Sequence, residues 1–310
     1  MFNKSKLPIF KKFYLYSLDK IYVLNVLLIP LSALYFIINI IKKYFFSNKK
    51  KNTIPVIVIG NLTFGGTGKT SLVIWICNYL YSKNYKIGVI SGGYKTINPK
   101  DIEIVNGNSN VNNVGDEAIL IYNNTSSIVC KCKDRKKAYE YLVDNYNLDI
   151  IISDDGLNHL NLNRDINIVT MKEKNPYGNG LLIPAGPLRV LPSSTKNYEN
   201  IIINKEKGSS KKGFYYDITK IISASDMSET NVDTLRGSTA HLVTAIANPD
   251  LLIEYLNTLN ISLKIHIYPD HFVFSKKDFE FNDNFKIILT EKDFVKCANF
   301  DLKNIYYLPT

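Results

Sequence analysis

The segment Ile54–Ser71, IPVIVIGNLTFGGTGKTS, runs from an apolar strand through a glycine-rich loop into the start of a helix. Glycines at 65, 66 and 68 let backbone N–H groups close around phosphate oxygens, so Gly65, Gly66, Thr67, Gly68, Lys69, Thr70 and Ser71 form a nucleotide-contacting run. Lys69 is spaced to reach the β- and γ-phosphates and to serve the transfer itself, and Thr70 to ligate Mg²⁺ at the helix N-terminus. The chemistry these residues could do is phosphoryl transfer from ATP. One position departs from the usual G-x-x-x-x-G-K-[ST] pattern: Thr63 stands where glycine is expected, which leaves the glycines at 60, 65 and 66 to make the turn.

Such a loop needs carboxylates for the metal and a group that handles the acceptor proton. Asp149–Ser153 reads as a strand, and Asp154 and Asp155 follow it where a metal-binding aspartate belongs. Asp154 is the favoured ligand and Asp155 nearly its equal, although Asp-Asp-Gly is also a common turn. Gly115-Asp116-Glu117 precedes the apolar Ala118–Tyr122 and by itself reads as a helix start with acidic residues on the dipole.

Positioning these groups calls for alternating strands and helices. Short β-branched runs at Ile54–Ile59, Lys86–Ile90, Ile128–Cys130, Asp149–Ser153, Ile166–Thr170 and Asn200–Ile203 alternate with amphipathic stretches, the pattern of a parallel α/β sheet. After Gly68 the apolar positions Leu72, Val73, Trp75, Ile76, Tyr79 and Leu80 suit a helix packed on that sheet. The polar stretch Lys205–Gly213 reads as a linker to a smaller α/β lobe, with strands at His241–Ala247, Leu263–Tyr268, Lys286–Leu289 and Asn304–Leu308 and a helix opened by Asn248-Pro249. The expected organisation is an anchor over 1–51, a P-loop core over 52–204, a linker over 205–213 and the smaller lobe over 214–310. No internal repeat is visible.

The anchor is Ile21–Ile41, which carries no charge and is interrupted only by Asn25, Pro30, Ser32 and Asn39. About 20 apolar residues can span a bilayer core. Lysines flank both ends, so the positive-inside asymmetry is weak, and Pro30 offers a kink that would return both ends to one face. A buried core helix is the soluble alternative. The chain carries 38 Lys+Arg against 28 Asp+Glu, a net charge of +10. Much of the excess lies at Lys4, Lys6, Lys11, Lys12, Lys20, Lys42, Lys43, Lys49, Lys50 and Lys51, which favours membrane phospholipid over nucleic acid as the partner. Cys77, Cys130, Cys132 and Cys297 form neither a disulfide framework nor ordinary zinc spacing and read as reduced cytosolic thiols. No obligate protein partner is evident.

Together the motifs GNLTFGGTGKT (60–70), GDE (115–117), SDDGLNH (153–159), RDINIV (164–169), GNGLLIPAGPLR (178–189), AIANPD (245–250), PDHF (269–272) and TEKDFVKC (290–297) resemble the tetraacyldisaccharide 4'-kinases, the lipid A 4'-kinase family. The resemblance implies transfer of the ATP γ-phosphoryl group to the 4'-hydroxyl of a glucosamine disaccharide lipid, at the cytosolic face of the inner membrane. It implies that Asp116 takes the acceptor proton, paired with His271, and that Glu117, Asp154 and Asp155 serve the metal. Asn158 and His159 would lie near the disaccharide, and Arg189 near its phosphate or the nucleotide. His241 and His266 are expected to be structural.

Three positions depart from the family pattern. Gly92 stands where Ser-Arg-Gly-Tyr has its arginine, with Lys95 as a substitute cation; Asn158 replaces a commoner Gln; Phe272 replaces a second His. Two other classes compete. For a GTPase, Asn204-Lys205 could imitate N-K-x-D, but residue 207 is Lys207. A non-catalytic nucleotide-binding scaffold would leave Asp116, Glu117 and His271 unexplained as a set.

Overall fold

Strand β1 (Val56–Asn61) turns Val56 and Val58 to one hydrophobic cluster and Ile57 and Ile59 to another. A strand buried on both faces needs an unbroken apolar run, which is what this segment has. The computed structural model describes residues 18–45, 51–94, 96–198, 200–247, 249–300 and 304–309. Lys4, Lys6, Lys11, Lys12, Lys49, Lys50, Lys95 and Asn248 lie outside the described residues. The chain divides between Tyr215 and Tyr216 into a larger and a smaller unit.

In the larger unit, β1 is followed by helix α2 (Lys69–Tyr81), β2 (Ile87–Ser91), β3 (Glu103–Ile104), helix α3 (Asp116–Asn124), β4 (Ile128–Lys131), helix α4 (Arg135–Asn145), β5 (Ile150–Asp154), β6 (Ile166–Lys172), β7 (Asn200–Asn204) and β8 (Gly213–Phe214). The sheet order is β3-β4-β2-β5-β1-β6-β7-β8, parallel except for β3. Side chains of α2 and α3 join the cluster on one face, and Ala138 and Leu142 of α4 join the other. The parallel α/β sheet expected from the strand–helix alternation is therefore present, and helices cover both of its faces. The two-residue strands β3 and β8 were not expected, being too short to show a pattern.

Two expected boundaries need correction. Lys205–Gly213 is not the linker between the units: it connects β7 to β8 inside the first sheet, and Gly213 pairs with Ile203. The Lys205 ammonium donates to the carbonyls of Ser209 (2.8 Å) and Lys211 (2.9 Å), closing a stretch whose Gly/Ser/Lys content imitates a flexible tether and taking Lys205 out of any guanine-reading role. The anchor, in turn, is not a separate domain, because helix α1 (Val23–Phe45) belongs to the larger unit.

Helix α1 runs on through Pro30, and its 23 residues give a length of about 35 Å at 1.5 Å per residue, enough for a hydrocarbon core. Its most apolar window has a mean hydropathy of 2.2 and is only 11% buried, so the core-helix alternative fails. The buried positions are the polar ones, Asn25 and Ser32. Asn25 Nδ2 donates to the Ala185 carbonyl (2.7 Å); the Ser32 hydroxyl donates to the Leu182 carbonyl (2.8 Å) and accepts from Ala185 N–H (3.1 Å); Tyr35 OH donates to the Arg189 carbonyl (3.0 Å). Two of the residues that interrupt the apolar run, Asn25 and Ser32, thus fasten it to the 178–189 loop together with Tyr35.

The smaller unit is a six-stranded sheet of order β10-β9-β14-β13-β11-β12, built from β9 (Lys220–Ser223), β10 (Glu229–Asn231), β11 (Thr239–Thr244), β12 (Ser262–Ile267), β13 (Lys286–Thr290) and β14 (Ile305–Leu308), with helix α5 (Asp250–Thr258) between β11 and β12. Strands β11 to β14 pair in parallel, while β9 and β10 add an antiparallel edge that the sequence pattern does not announce.

Candidate active site

Strand β1 lies between β5 and β6, in a register that pairs Ile59 with Asp154 and Asn61 with Thr170. Three strand ends therefore meet at one edge, the place where open parallel sheets bind their ligands. The loop leaving β1 turns with Gly65 at φ 106° and Gly68 at φ 81°, conformations that favour glycine, and delivers Lys69 and Thr70 to the start of α2. Asn61 Nδ2 donates to the Gly65 carbonyl (3.1 Å), and the Thr67 and Thr170 hydroxyls are 2.7 Å apart in the interior.

Thr63 needs no glycine. It does not have positive φ, is 7% exposed, and forms an antiparallel bridge with Leu188. Phe64 N–H donates to the Pro187 carbonyl (2.8 Å) and Arg189 N–H to the Leu62 carbonyl (2.7 Å). The 178–189 loop therefore flanks the phosphate-binding loop on one side and holds α1 on the other. Gly60 serves packing: a Cβ there would lie 2.6 Å from Leu157 Cγ, in the segment that follows Asp155.

The two aspartates left nearly equal by the sequence separate here. Asp154 ends β5 at 2% exposure; its Oδ2 accepts from the Thr70 hydroxyl at 3.2 Å, and its buried Oδ1 has no hydrogen-bond partner. Burial, and after it the Glu117 carboxylate, push the Asp154 pKa up to about 7 against the pull of Lys69 and Arg135. Asp155, at φ 48°, accepts from Arg189 Nη1 on both oxygens (2.8 and 3.0 Å), and the Lys69 ammonium stands 3.8 Å away. Burial pushes its carboxyl up, but Lys69 and Arg189 outweigh that and hold it below the usual range. Asp155 is thus committed to two cations, and Asp154 is the carboxylate with an oxygen to give.

Arg135 escaped the sequence reading. It is 2% exposed; Nη1 donates to the Cys132 carbonyl (2.9 Å), Nη2 to the Asp154 carbonyl (2.8 Å), and its cation faces Asp154, Asp155 and Glu117. A Cβ on Gly92 would lie 2.8 Å from Nη2, so Gly92 leaves room for the Arg135 guanidinium at the position where the family pattern has arginine. The available signal was an arginine directly after Asp134, which caps α4 by accepting from Lys136 and Lys137 N–H at the end of a strand.

Asp116 and Glu117 open α3 as expected; Asp116 is 5% exposed and its Oδ1 accepts from Glu117 N–H (3.0 Å). The structure brings Glu117 to Asp154 and Arg135. Ser71 follows in the first turn of α2, while Asn158 is exposed beyond Asp155. His159 is half-buried, and its pKa falls to about 4, mainly through burial and then the Arg135 charge, so its imidazole is neutral at pH 7. Arg164 locks this turn by donating to the Leu157 and His159 carbonyls, both at 2.9 Å.

His271 belongs to the smaller unit, in the turn after β12, at φ 59° with Nε2 3.6 Å from Asp270 Oδ2. Its expected partner Asp116 belongs to the larger unit. Phe272 packs on Tyr268 with ring centroids 4.6 Å apart, which is an aromatic use of the position where the family pattern has histidine. His241 is structural, as expected: Nδ1 is 2.8 Å from His266 Nε2, Nε2 is 2.9 Å from Asp283 Oδ1, and Phe281 stacks on the ring. All four cysteines are free and buried; burial raises the Cys77 thiol to about 11 and those of Cys130 and Cys297 to about 12, in keeping with inert reduced thiols.

Among the described residues, no group of three or more His, Cys, Asp or Glu side chains is arranged to enclose a metal ion. The all-oxygen set at the loop, a threonine hydroxyl and a buried carboxylate oxygen without a partner, suits Mg²⁺. That ion is commonly held by one or two carboxylates together with phosphates and water. Fold and site together define a P-loop phosphotransferase.

The sequence profile of the tetraacyldisaccharide-1-P 4'-kinases matches residues 24–310. The tetraacyldisaccharide 4'-kinase of Hahella chejuensis is 36% identical over 91% of this chain and 87% of its own. That of Ruthia magnifica is 33% identical over 92% of each chain. The crystal structure of LpxK from Aquifex aeolicus in complex with ATP superposes with a TM-score of 0.74 at 27% identity, covering 92% of this chain and 93% of the other. The chain belongs to the tetraacyldisaccharide-1-P 4'-kinase family.

Proposed function

We propose that this chain transfers the γ-phosphoryl group of ATP to the 4'-hydroxyl of the tetraacylated glucosamine disaccharide 1-phosphate that precedes lipid A, with Mg²⁺, at the cytosolic face of the inner membrane. The acceptor oxygen forms a bond to the γ-phosphorus, the bond to the β,γ-bridging oxygen breaks, and ADP leaves. Family membership supports the acceptor. The observation that carries the chemistry is Lys69, Thr70 and the partnerless Asp154 oxygen meeting at the phosphate loop.

In this reading Gly65–Thr70 cradle the phosphates and Lys69 neutralises the transferred group. Mg²⁺ bound at Thr70 and Asp154, with Glu117 beside them, would screen the charge on the β- and γ-phosphates. Asp155 keeps Lys69 and Arg189 in place, so Arg189 serves the nucleotide side. Asp116 receives the proton of the acceptor hydroxyl, and neutral His159 with Asn158 contacts the sugar. By the PDH resemblance His271 serves the same proton transfer, so His271→Ala should lower kcat with the KM for ATP unchanged. Helix α1, apolar outward and basic-flanked, supports a seat in the bilayer where the lipid substrate resides.

Purified protein given labelled ATP and the disaccharide lipid should yield the 4'-phosphorylated product. Asp116→Ala should lower turnover by roughly 10²–10⁴-fold, the scale of general acid–base catalysis, with ATP binding retained. Hydrolysis of GTP without lipid phosphorylation would sink the kinase reading.

A further inference from the structure

Next to His159 lies a cavity of about 390 Å³ lined by Lys100, Lys133, Asp134, Lys137 and His159. Three cations meet one carboxylate there, and the carboxylate is occupied: Asp134 Oδ1 accepts from Lys136 N–H (3.1 Å), Lys137 N–H (3.3 Å) and Asn161 Nδ2 (2.9 Å). Among the described residues, the ammonium groups of Lys100, Lys133 and Lys137 form no hydrogen bond or ion pair. Their backbone, by contrast, is fixed. Fully buried Lys131 donates through Nζ to the carbonyls of Asn98 (2.6 Å) and Asp101 (3.5 Å), Lys133 N–H donates to the Pro99 carbonyl (2.7 Å), and Cys132 Sγ donates to the Lys100 carbonyl (3.2 Å). Lys137 sits in the first turn of α4, whose positive dipole end adds to the field.

Three unpaired cations on pinned backbone beside the neutral His159 imidazole make a site for a dianionic phosphomonoester. The nucleotide phosphates have their own cradle at Gly65–Thr70. Given the function proposed above, the other phosphate in the reaction is the one on the acceptor, at the far end of the disaccharide from the 4'-hydroxyl. We propose that Lys100, Lys133 and Lys137 bind the 1-phosphate of the acceptor, with His159 marking the passage from this subsite to the transfer site. The cluster then determines specificity: it selects the 1-phosphorylated disaccharide over its neutral analogue.

The test compares kcat/KM for the disaccharide lipid with and without its 1-phosphate, in neutral detergent micelles. Wild-type protein should prefer the phosphorylated acceptor, and Lys100→Ala/Lys133→Ala/Lys137→Ala should lower that preference about tenfold, the sum expected of three exposed charge contacts. The corresponding triple arginine variant should keep it, and the KM for ATP should not change. Should the triple alanine variant fail to bind an ATP analogue, Lys133→Glu alone should lower the preference severalfold. An unchanged ratio overturns the proposal, as does a defect seen only on phosphatidylglycerol vesicles, which would give the patch to the bilayer surface. Wild-type protein that phosphorylates neither acceptor counts instead against the functional reading, so the two failures are distinct.

Discussion

Asp154, which ends β5 in the larger unit, and Asp293, in the short helical turn Glu291–Phe294 that follows β13 in the smaller, are both buried aspartates, 2% and 0% exposed. Asp293 is saturated: Oδ2 accepts from the Thr244 hydroxyl (2.9 Å), Ala245 N–H (3.1 Å) and the Thr290 hydroxyl (2.8 Å), and Oδ1 from the Lys296 ammonium (2.9 Å). Asp154 has one long hydrogen bond and a partnerless oxygen. A buried charge with every lone pair engaged ties elements together, as Asp293 ties β11 to β13. A buried charge left short of partners costs stability and is retained where a ligand completes it.

The comparison is sharpest under mutation to asparagine. Asp154→Asn should lower turnover by roughly 10²–10³-fold, the scale of losing one preorganised electrostatic contact, while the melting temperature of the ligand-free protein rises. Steady-state turnover checks the first half and thermal melts of the ligand-free protein the second, and a fall in melting temperature would break the contrast. Asp293→Asn should instead lower stability and leave the nucleotide site intact. Removing the charge opposite the buried Lys296 ammonium, whose side chain is 5% exposed, should cost about 3–5 kcal/mol in urea unfolding. The ATP affinity of the folded fraction should not change.

A smaller effect follows from the protonation of Asp154. Its folded pKa of about 7 exceeds the unfolded 3.8, so the folded protein binds the extra proton between those values. Stability of the ligand-free protein therefore falls as pH rises from about 4 to about 7, and Asp154→Asn removes that slope. Metal binding competes with the same proton. Apparent Mg²⁺ affinity should therefore climb about tenfold per pH unit below about 7 and level off above it, measured as the Mg²⁺ dependence of turnover. The smallest change is expected from Ser32→Ala, which removes two hydrogen bonds between α1 and the 178–189 loop. A loss of about 1–3 kcal/mol should appear as faster amide exchange at Ala185.

The strands and the phosphate loop were legible because both write themselves locally: β-branched runs for a doubly covered sheet, and glycines where φ must be positive. Asp154 and Asp155 were legible as a pair but not as individuals. What separates them is Arg189, 34 positions on, and a turn that points one carboxylate at Thr70. Arg135 stayed hidden for a related reason, since the Asp134 cap before it marks a helix start but not that the guanidinium reaches the carbonyl of Asp154, 19 positions on. The stretch Lys205–Gly213 misled because composition reports polarity and not where the Lys205 ammonium closes it. Asn25 and Ser32 looked like blemishes in an apolar segment and are its attachment points.

Those attachment points have a kinetic meaning. Asn25, Ser32 and Tyr35 hold the 178–189 loop, and that loop holds Thr63 and Arg189 at the rim of the phosphate site, so the catalytic edge is set at a constant height above any bilayer that α1 enters. Enzyme and acceptor then meet by diffusion within a plane. Velocity should follow the mole fraction of acceptor in the surface, and inert lipid should act as diluent even when the bulk concentration of acceptor is held fixed.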